Sequence, residues 1–377
     1  MFRLYVLQND ALRTQHYNFI RREVWMNMRT TGFIVLALIL CVGQESLVAQ
    51  EPNAASSSDM VMIDGLTVPD IGPMPAFVPM PAGNVNYVQK IELGKQLYFD
   101  GRLSKNNAIS CAFCHNPGTG FADARQFSIG AFGTAGGRQA PTVYNTAFNP
   151  FQFWDGRATS LEEQAIGPIH NPIEMAETHE TVVPKIAKIA GYQKQFKAVF
   201  GDNVSLQGIA DAIAAFERTI VSANSAFDKY AMGESNAMDD SAVRGMRLFK
   251  GKARCILCHN GPNFTDNQFH NIGVPQEGLL KEDLGRYNVT RRERDKGAFK
   301  TPTLRSITET APYMHDGVFK TLEDVIEFKD KGGQPNAYLS PLMKPLGLTP
   351  EEKADLAAFL KALAGAPLKI TVPKLPK

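Results

Sequence analysis

Long apolar runs, spare cysteines and net charge are all scarce in this chain of 377 residues, and each scarcity excludes something. The one sustained apolar run, Thr31 to Gly43, is 13 residues long, whereas a membrane-spanning helix needs about 20. The formal charge of +2 comes from residues 1–49, where Arg3, Arg13, Arg21, Arg22 and Arg29 outnumber Asp10, Glu23 and Glu45. The remaining chain is neutral, which gives no electrostatic case for nucleic acid or a membrane surface as partner. Four of the five cysteines fall into two Cys-x-x-Cys pairs, and the fifth, Cys41, sits in the N-terminal apolar run. None is left for a structural disulfide. No strand–turn–strand series runs along the sequence. A hydrophobic content of 44% is ordinary for a globular protein, and the length is enough for two compact domains.

Both cysteine pairs are followed at once by histidine: Cys111-Ala112-Phe113-Cys114-His115 and Cys255-Ile256-Leu257-Cys258-His259. Two cysteines at this spacing can form thioethers to the two vinyl groups of one haem while the histidine ligates its iron. A thioredoxin-like redox pair does not require the histidine, and a zinc site needs a second ligand pair close by. The motifs therefore predict two covalently bound haem c groups, held by Cys111, Cys114 and His115 and by Cys255, Cys258 and His259.

Attachment of c-type haem takes place outside the bacterial cytoplasmic membrane, and the N-terminus agrees. The apolar run follows Arg29 and gives way to polar residues ending at Ala49, the pattern of a secretory signal over 1–49 with cleavage after Ala49. Its positive region is long, and Met26 and Met28 are alternative starts. An uncleaved anchor is the competing reading, and Leu40 is too bulky for a lipoprotein site at Cys41. The expected location is the periplasm, with no membrane span after processing. Residues 50–86 carry Pro69, Pro73, Pro75, Pro79 and Pro81, a composition that breaks helices and reads as an extended arm.

The rest of the chain shows helical periodicity at 87–99, 207–221 and 350–364. It also repeats internally. Gly94, Leu97 and Phe99 before the first haem motif, and Asn116, Phe121 and Asp123 after it, are echoed by Gly245, Leu248, Phe249, Asn260, Phe264 and Asp266 around the second. A repeat of this spacing is domain-sized. The expectation is an all-α chain with long loops, built from two cytochrome-c-like domains at 87–235 and 236–377.

Between the haem motifs lie Phe153-Trp154-Asp155-Gly156-Arg157-Ala158, Leu161-Glu162-Glu163-Gln164 and Gly167-Pro168-Ile169-His170-Asn171-Pro172-Ile173-Glu174-Met175. With Pro141-Thr142 and Asn145 before them, and Ala311-Pro312-Tyr313-Met314-His315-Asp316-Gly317 after the second haem motif, the chain over roughly 87–365 resembles the bacterial di-haem cytochrome c peroxidase family, which includes the MauG-type enzymes. The resemblance implies that hydrogen peroxide is reduced at the first haem. Electrons then enter at the second haem from a small cytochrome c or cupredoxin. His115 and His259 become the proximal iron ligands, Trp154 the aromatic bridge between haems, and Glu174 the carboxylate above the peroxide-binding iron. By itself Trp154 also reads as interface packing and Glu174 as a helix cap. A carboxyl beside an apolar haem face has its pKa raised into a range useful for moving a peroxide proton.

Two positions depart from the family pattern. The histidine that closes the first haem in many relatives is matched by Ala131, which cannot ligate iron, so the first haem is expected to be open. His170 and His179 are the nearest substitutes, more naturally read as loop histidines. At the sixth-ligand position of the second haem, methionine or tyrosine in the family, stands Lys329. A lysine amine ligates only when deprotonated, against an ordinary pKa of about 10.4, and a solvent-facing lysine is the alternative. Met314 is a rival that itself belongs to the family pattern. The resemblance further implies one calcium ion held by backbone oxygens at Gln139, Thr310 and Pro312, with glutamine replacing the usual asparagine. Family members are often homodimers, although no dimer seam is legible. The expected activity is that of a cytochrome c peroxidase. A MauG-like oxidase of a protein side chain is the first alternative, favoured by Ala131 and weakened by Lys329. A non-catalytic electron-transfer cytochrome is the second.

Overall fold

The computed structural model describes residues 60–377 except Leu279 and Lys281. The expected leader at 1–49 and the first part of the arm lie outside the described residues. The described residues belong to one compact unit. Its architecture is mainly helical, with two small two-stranded sheets among the described residues, as the periodicities predict.

The helices longer than one turn are α1 (Val88–Tyr98), α2 (Leu161–His170), α3 (His179–Ala187), α4 (Ala190–Phe200), α5 (Leu206–Glu217), α6 (Ala226–Ala231), α7 (Asp240–Lys250), α8 (Leu322–Asp330) and α9 (Pro350–Ala362). Local chemistry starts them. The Ser205 hydroxyl accepts from the Gly208 N–H at α5, and Thr349 and Glu352 form a capping box at α9 with Pro350 in the first position.

Two hydrophobic cores follow. In the first, Leu93, Leu97 and Tyr98 of α1 pack with Ile209, Ile213 and Phe216 of α5. In the second, Phe249 of α7 packs with Leu356, Phe359 and Leu360 of α9. The internal repeat has a physical basis in the two crossings. A Cβ on Gly94 would lie 1.7 Å from the Ala212 carbonyl oxygen, and one on Gly245 would lie 1.9 Å from that of Asp355. Only glycine lets either pair of helices approach so closely.

Polar contacts join the two cores. Asn145 Nδ2 donates to the Ser222 carbonyl and to Asn263 Oδ1, each at 3.1 Å. Arg138 reaches Asp155 at 2.7 Å and Asp283 at 2.6 Å. The fully buried Arg305 pairs with Asp228 at 2.6 Å and donates to the carbonyls of Gly72 and Pro262.

The arm departs from its reading as a simple extended segment. Strands β1 (Met60–Ile63) and β2 (Leu66–Pro69) pair antiparallel, Ile63 opposite Leu66. Asp64 and Gly65 both have positive φ, 50° and 78°, the backbone of the two-residue hairpin turn that Asp-Gly favours. Val61, Ile63 and Val68 pack on the second core. β2 contacts the turn at Cys255–Leu257, Asp64 pairs with Arg254, and Lys250 holds Asp70 at 2.6 Å. The proline cluster at 69–81 begins only at the end of β2, so it limits the sheet without preventing the hairpin.

Candidate haem sites and the path between them

Each Cys-x-x-Cys-His segment is one tight helical turn whose histidine amide closes on the first cysteine: His115 N to the Cys111 carbonyl at 2.8 Å, His259 N to that of Cys255 at 2.9 Å. His115 Nδ1 lies 2.9 Å from the Pro141 carbonyl, and His259 Nδ1 lies 3.0 Å from that of Phe264. Donation from Nδ1 fixes the tautomer that leaves Nε2 with a lone pair for a metal. Burial pushes both imidazoles toward the neutral form, His259 to about 4. All four thiols are unpaired with one another. The second motif opens on a cavity whose empty space, its mouth included, is about 1720 Å³; Cys255, Cys258, His259, Trp154, Lys300 and Lys329 are on its wall. Lys300 is buried there with only the Thr301 carbonyl at 2.9 Å, and burial lowers its ammonium to about 8. A buried cation without a carboxylate partner suits an anionic group, such as a haem propionate, in that cavity. The residues present therefore fit a c-type haem. Cys258, Asp266 and His270 also bring donor atoms within 4.8 Å of one another, but a thioether at Cys258 removes the thiolate that an ion there would need.

Glu174 is half-buried near the first motif. Burial raises its carboxyl above the ordinary range, opposed by the nearby Arg157 and by a hydrogen bond from Asn171. Its backbone is fixed from the other side: the Ala131 N–H donates to the Glu174 carbonyl at 2.7 Å, and a Cβ on Gly130 would fall 2.1 Å from the Ile173 carbonyl. The Ala131 methyl is buried in the first core. His170 is exposed at the end of α2, its ring 4.9 Å from that of His179, whose Nε2 lies 3.1 Å from the Ile166 carbonyl.

Trp154 lies on the wall of the second cavity and donates its indole N–H to the Gln139 carbonyl at 2.9 Å. Two residues further, Pro141 receives His115. The segment 139–141 thus connects the indole to the first proximal histidine. Across the cavity the Trp154 ring meets the His315 ring edge-on at 6.5 Å, and His315 stacks on Phe299 at 3.6 Å. Gln139, Thr310 and Pro312, the candidate calcium positions, all line this wall. Lys329 projects from α8 into the cavity, and its Nζ lies 3.6 Å from Met343 Sδ. Burial lowers its ammonium below the ordinary lysine range. Met314 also lines the cavity. Lys300 and Met343 were invisible to motif reasoning. An isolated lysine or methionine carries no local signal, and only the closing of the fold brings them to the cavity.

Two Cys-x-x-Cys-His turns, each with its histidine held as a neutral ligand, on a helical scaffold with two cores, define a di-haem c-type cytochrome. The profile of the di-haem cytochrome c peroxidase family matches residues 88–236. The chain is 38% identical over 350 residues to the methylamine utilization protein MauG of Methylorubrum extorquens, covering 91% of this chain and 97% of that protein. It is 41% identical over 300 residues to the cytochrome c551 peroxidase of Nitrosomonas europaea, covering 79% of this chain and 86% of that protein. Among solved structures it resembles a MauG-like protein associated with microbial copper homeostasis, with a TM-score of 0.72 and 32% identity over 78% of this chain and 95% of the other. The chain belongs to the di-haem cytochrome c peroxidase and MauG family, and with it to enzymes that carry two haem c groups. No helix among the described residues is long and apolar enough to cross a membrane.

Proposed function

We propose that the protein is a periplasmic peroxidase that reduces hydrogen peroxide to water with electrons from a small cytochrome c or cupredoxin. Glu174 carries the reading: a half-buried carboxyl with a raised pKa, held on its backbone by the residue that replaces a closing histidine. The haems, when bound, supply the redox chemistry. Glu174 takes a proton from the inner peroxide oxygen and delivers it to the outer one, which leaves as water. Ala131 leaves the peroxide position clear. Trp154, tied through the Gln139–Pro141 segment to His115, couples the two sites. Lys329 would supply the sixth ligand of the second iron, and Gln139, Thr310 and Pro312 would hold the calcium ion. The haem domains divide at residue 235.

Glu174→Gln keeps the shape and removes the base. Peroxide turnover with a reduced small cytochrome should fall about 100-fold or more; an undiminished rate would overturn the assignment. A second reading, peroxide-driven oxidation of a protein side chain, is favoured by the methyl of Ala131 where a closing ligand would stand. Oxidised side chains on a partner protein after peroxide treatment, with no turnover of the small cytochrome, would replace the first reading by the second.

A further inference from the structure

Beside Lys329 the cavity brings two donors together where one axial ligand is expected. Among the described residues, the Met343 sulfur is the only hydrogen-bond acceptor within reach of the Lys329 ammonium, at 3.6 Å, and both line the cavity that contains His259. Their approach is built in. After α8, Gly332 and Gly333 take φ of +84° and +78°; a Cβ on Gly332 would lie 2.8 Å from Pro345 N, and one on Gly333 would lie 3.2 Å from Met343 Cε. Asp330, next to Lys329, accepts from the Leu346 N–H through its carbonyl and from the Leu348 N–H through its carboxylate, both at 2.9 Å. The returning segment is thereby fixed against the end of α8, and Met343 is delivered beside Lys329. Both side chains are long and unbranched, so a few torsions carry either atom to where the other stands.

We propose that Met343 is a second axial donor to the iron of the second haem and exchanges with Lys329 when that iron is reduced. The inference rests on the reading of Lys329 as sixth ligand. Ferric iron is the harder acid and prefers the amine, whereas ferrous iron is softer and prefers the thioether. When one electron arrives from the donor protein, the iron–nitrogen bond to Lys329 breaks and the iron–sulfur bond to Met343 forms. The released amine takes one proton from solvent. Reoxidation reverses each change. Histidine–methionine ligation raises the reduction potential, so Met343 favours the reduced state.

The test uses the di-haem holoprotein and its Lys329→Ala, Met343→Leu and Met314→Leu variants. Ferric ligation is read from near-infrared magnetic circular dichroism and electron paramagnetic resonance, ferrous ligation from the visible spectrum, and the second-haem potential from a redox titration. The wild type should show amine ligation when ferric and thioether ligation when ferrous. Lys329→Ala should show thioether ligation in both states. Met343→Leu should keep the ferric amine signature and lose the ferrous thioether one. Its ferrous–ferric equilibrium should shift at least tenfold toward ferric, about 59 mV for one electron. Met314→Leu should match the wild type. If Met343→Leu changes neither the ferrous spectrum nor the potential, the exchange is wrong while Lys329 stands. If Lys329→Ala leaves the ferric signature unchanged, the underlying reading of Lys329 fails. Loss of the thioether signature in Met314→Leu would assign the sulfur to that residue and overturn Met343.

Discussion

In the proposed reaction Glu174 works only as a carboxylate when it accepts the peroxide proton. Because burial raises its pKa above the ordinary carboxylate value, kcat/KM for peroxide should fall as pH drops through that raised pKa, and the Glu174→Gln variant should lose this limb of the pH profile. Ala131 supports a complementary prediction. With no imidazole at that position, the fully oxidised enzyme should turn over peroxide without a reductive lag, and Ala131→His should introduce one; stopped-flow traces with and without pre-reduction measure the difference. At this scale the sequence was most legible, because each Cys-x-x-Cys-His turn lies within five consecutive residues whose chemistry is local. Lys329 was legible as an anomaly only through alignment to the family pattern. Met343 was not, since the glycine pair that folds it back gives no hint of what it meets.

Arg305 joins several elements at once. Its guanidinium is fully buried and binds Asp228, which also accepts from Ser225 to cap α6, while Gly72 of the arm and Pro262 beside the second haem turn supply carbonyls. Asp228→Ala would strand a buried cation, a loss of about 3–5 kcal/mol, read as a lowered unfolding midpoint of the holoprotein. The helices at 88–98, 206–217 and 350–362 follow their apolar periodicity because each buries one face against a partner helix. The hairpin at 60–69 was present in the sequence as Asp-Gly between apolar pairs, but the prolines further along the arm set the reading. Turn chemistry at Asp64 and Gly65 outweighed composition over residues 50–86.

For the molecule as a whole, Glu217 is a buried group that opposes folding at neutral pH. It ends α5 with one carboxylate oxygen buried and unpartnered, and burial raises its pKa from 4.5 to about 8 despite the adjacent Arg218. A folded-state pKa above the unfolded value means that stability is full below about 4.5 and declines as pH rises toward 8. Glu217→Gln should therefore be near neutral at pH 4.5 and stabilising by a few kcal/mol at pH 8, at about 1.4 kcal/mol per pKa unit. Thermal unfolding at the two pH values gives the difference. The internal repeat was legible from the paired motifs, and Gly94 and Gly245 give it a physical basis: each marks the point where two helix backbones meet.

The position of Trp154 has an optical consequence. The chain has two tryptophans, and the other, Trp25, belongs to the expected leader. With that leader removed, the protein would carry a single indole, on the wall of the cavity that suits the second haem, where porphyrin absorption would quench its emission. Fluorescence from this protein becomes a dark-to-bright reporter of that one site, lighting up when the fold opens and the indole moves away from the tethered haem, with no label added.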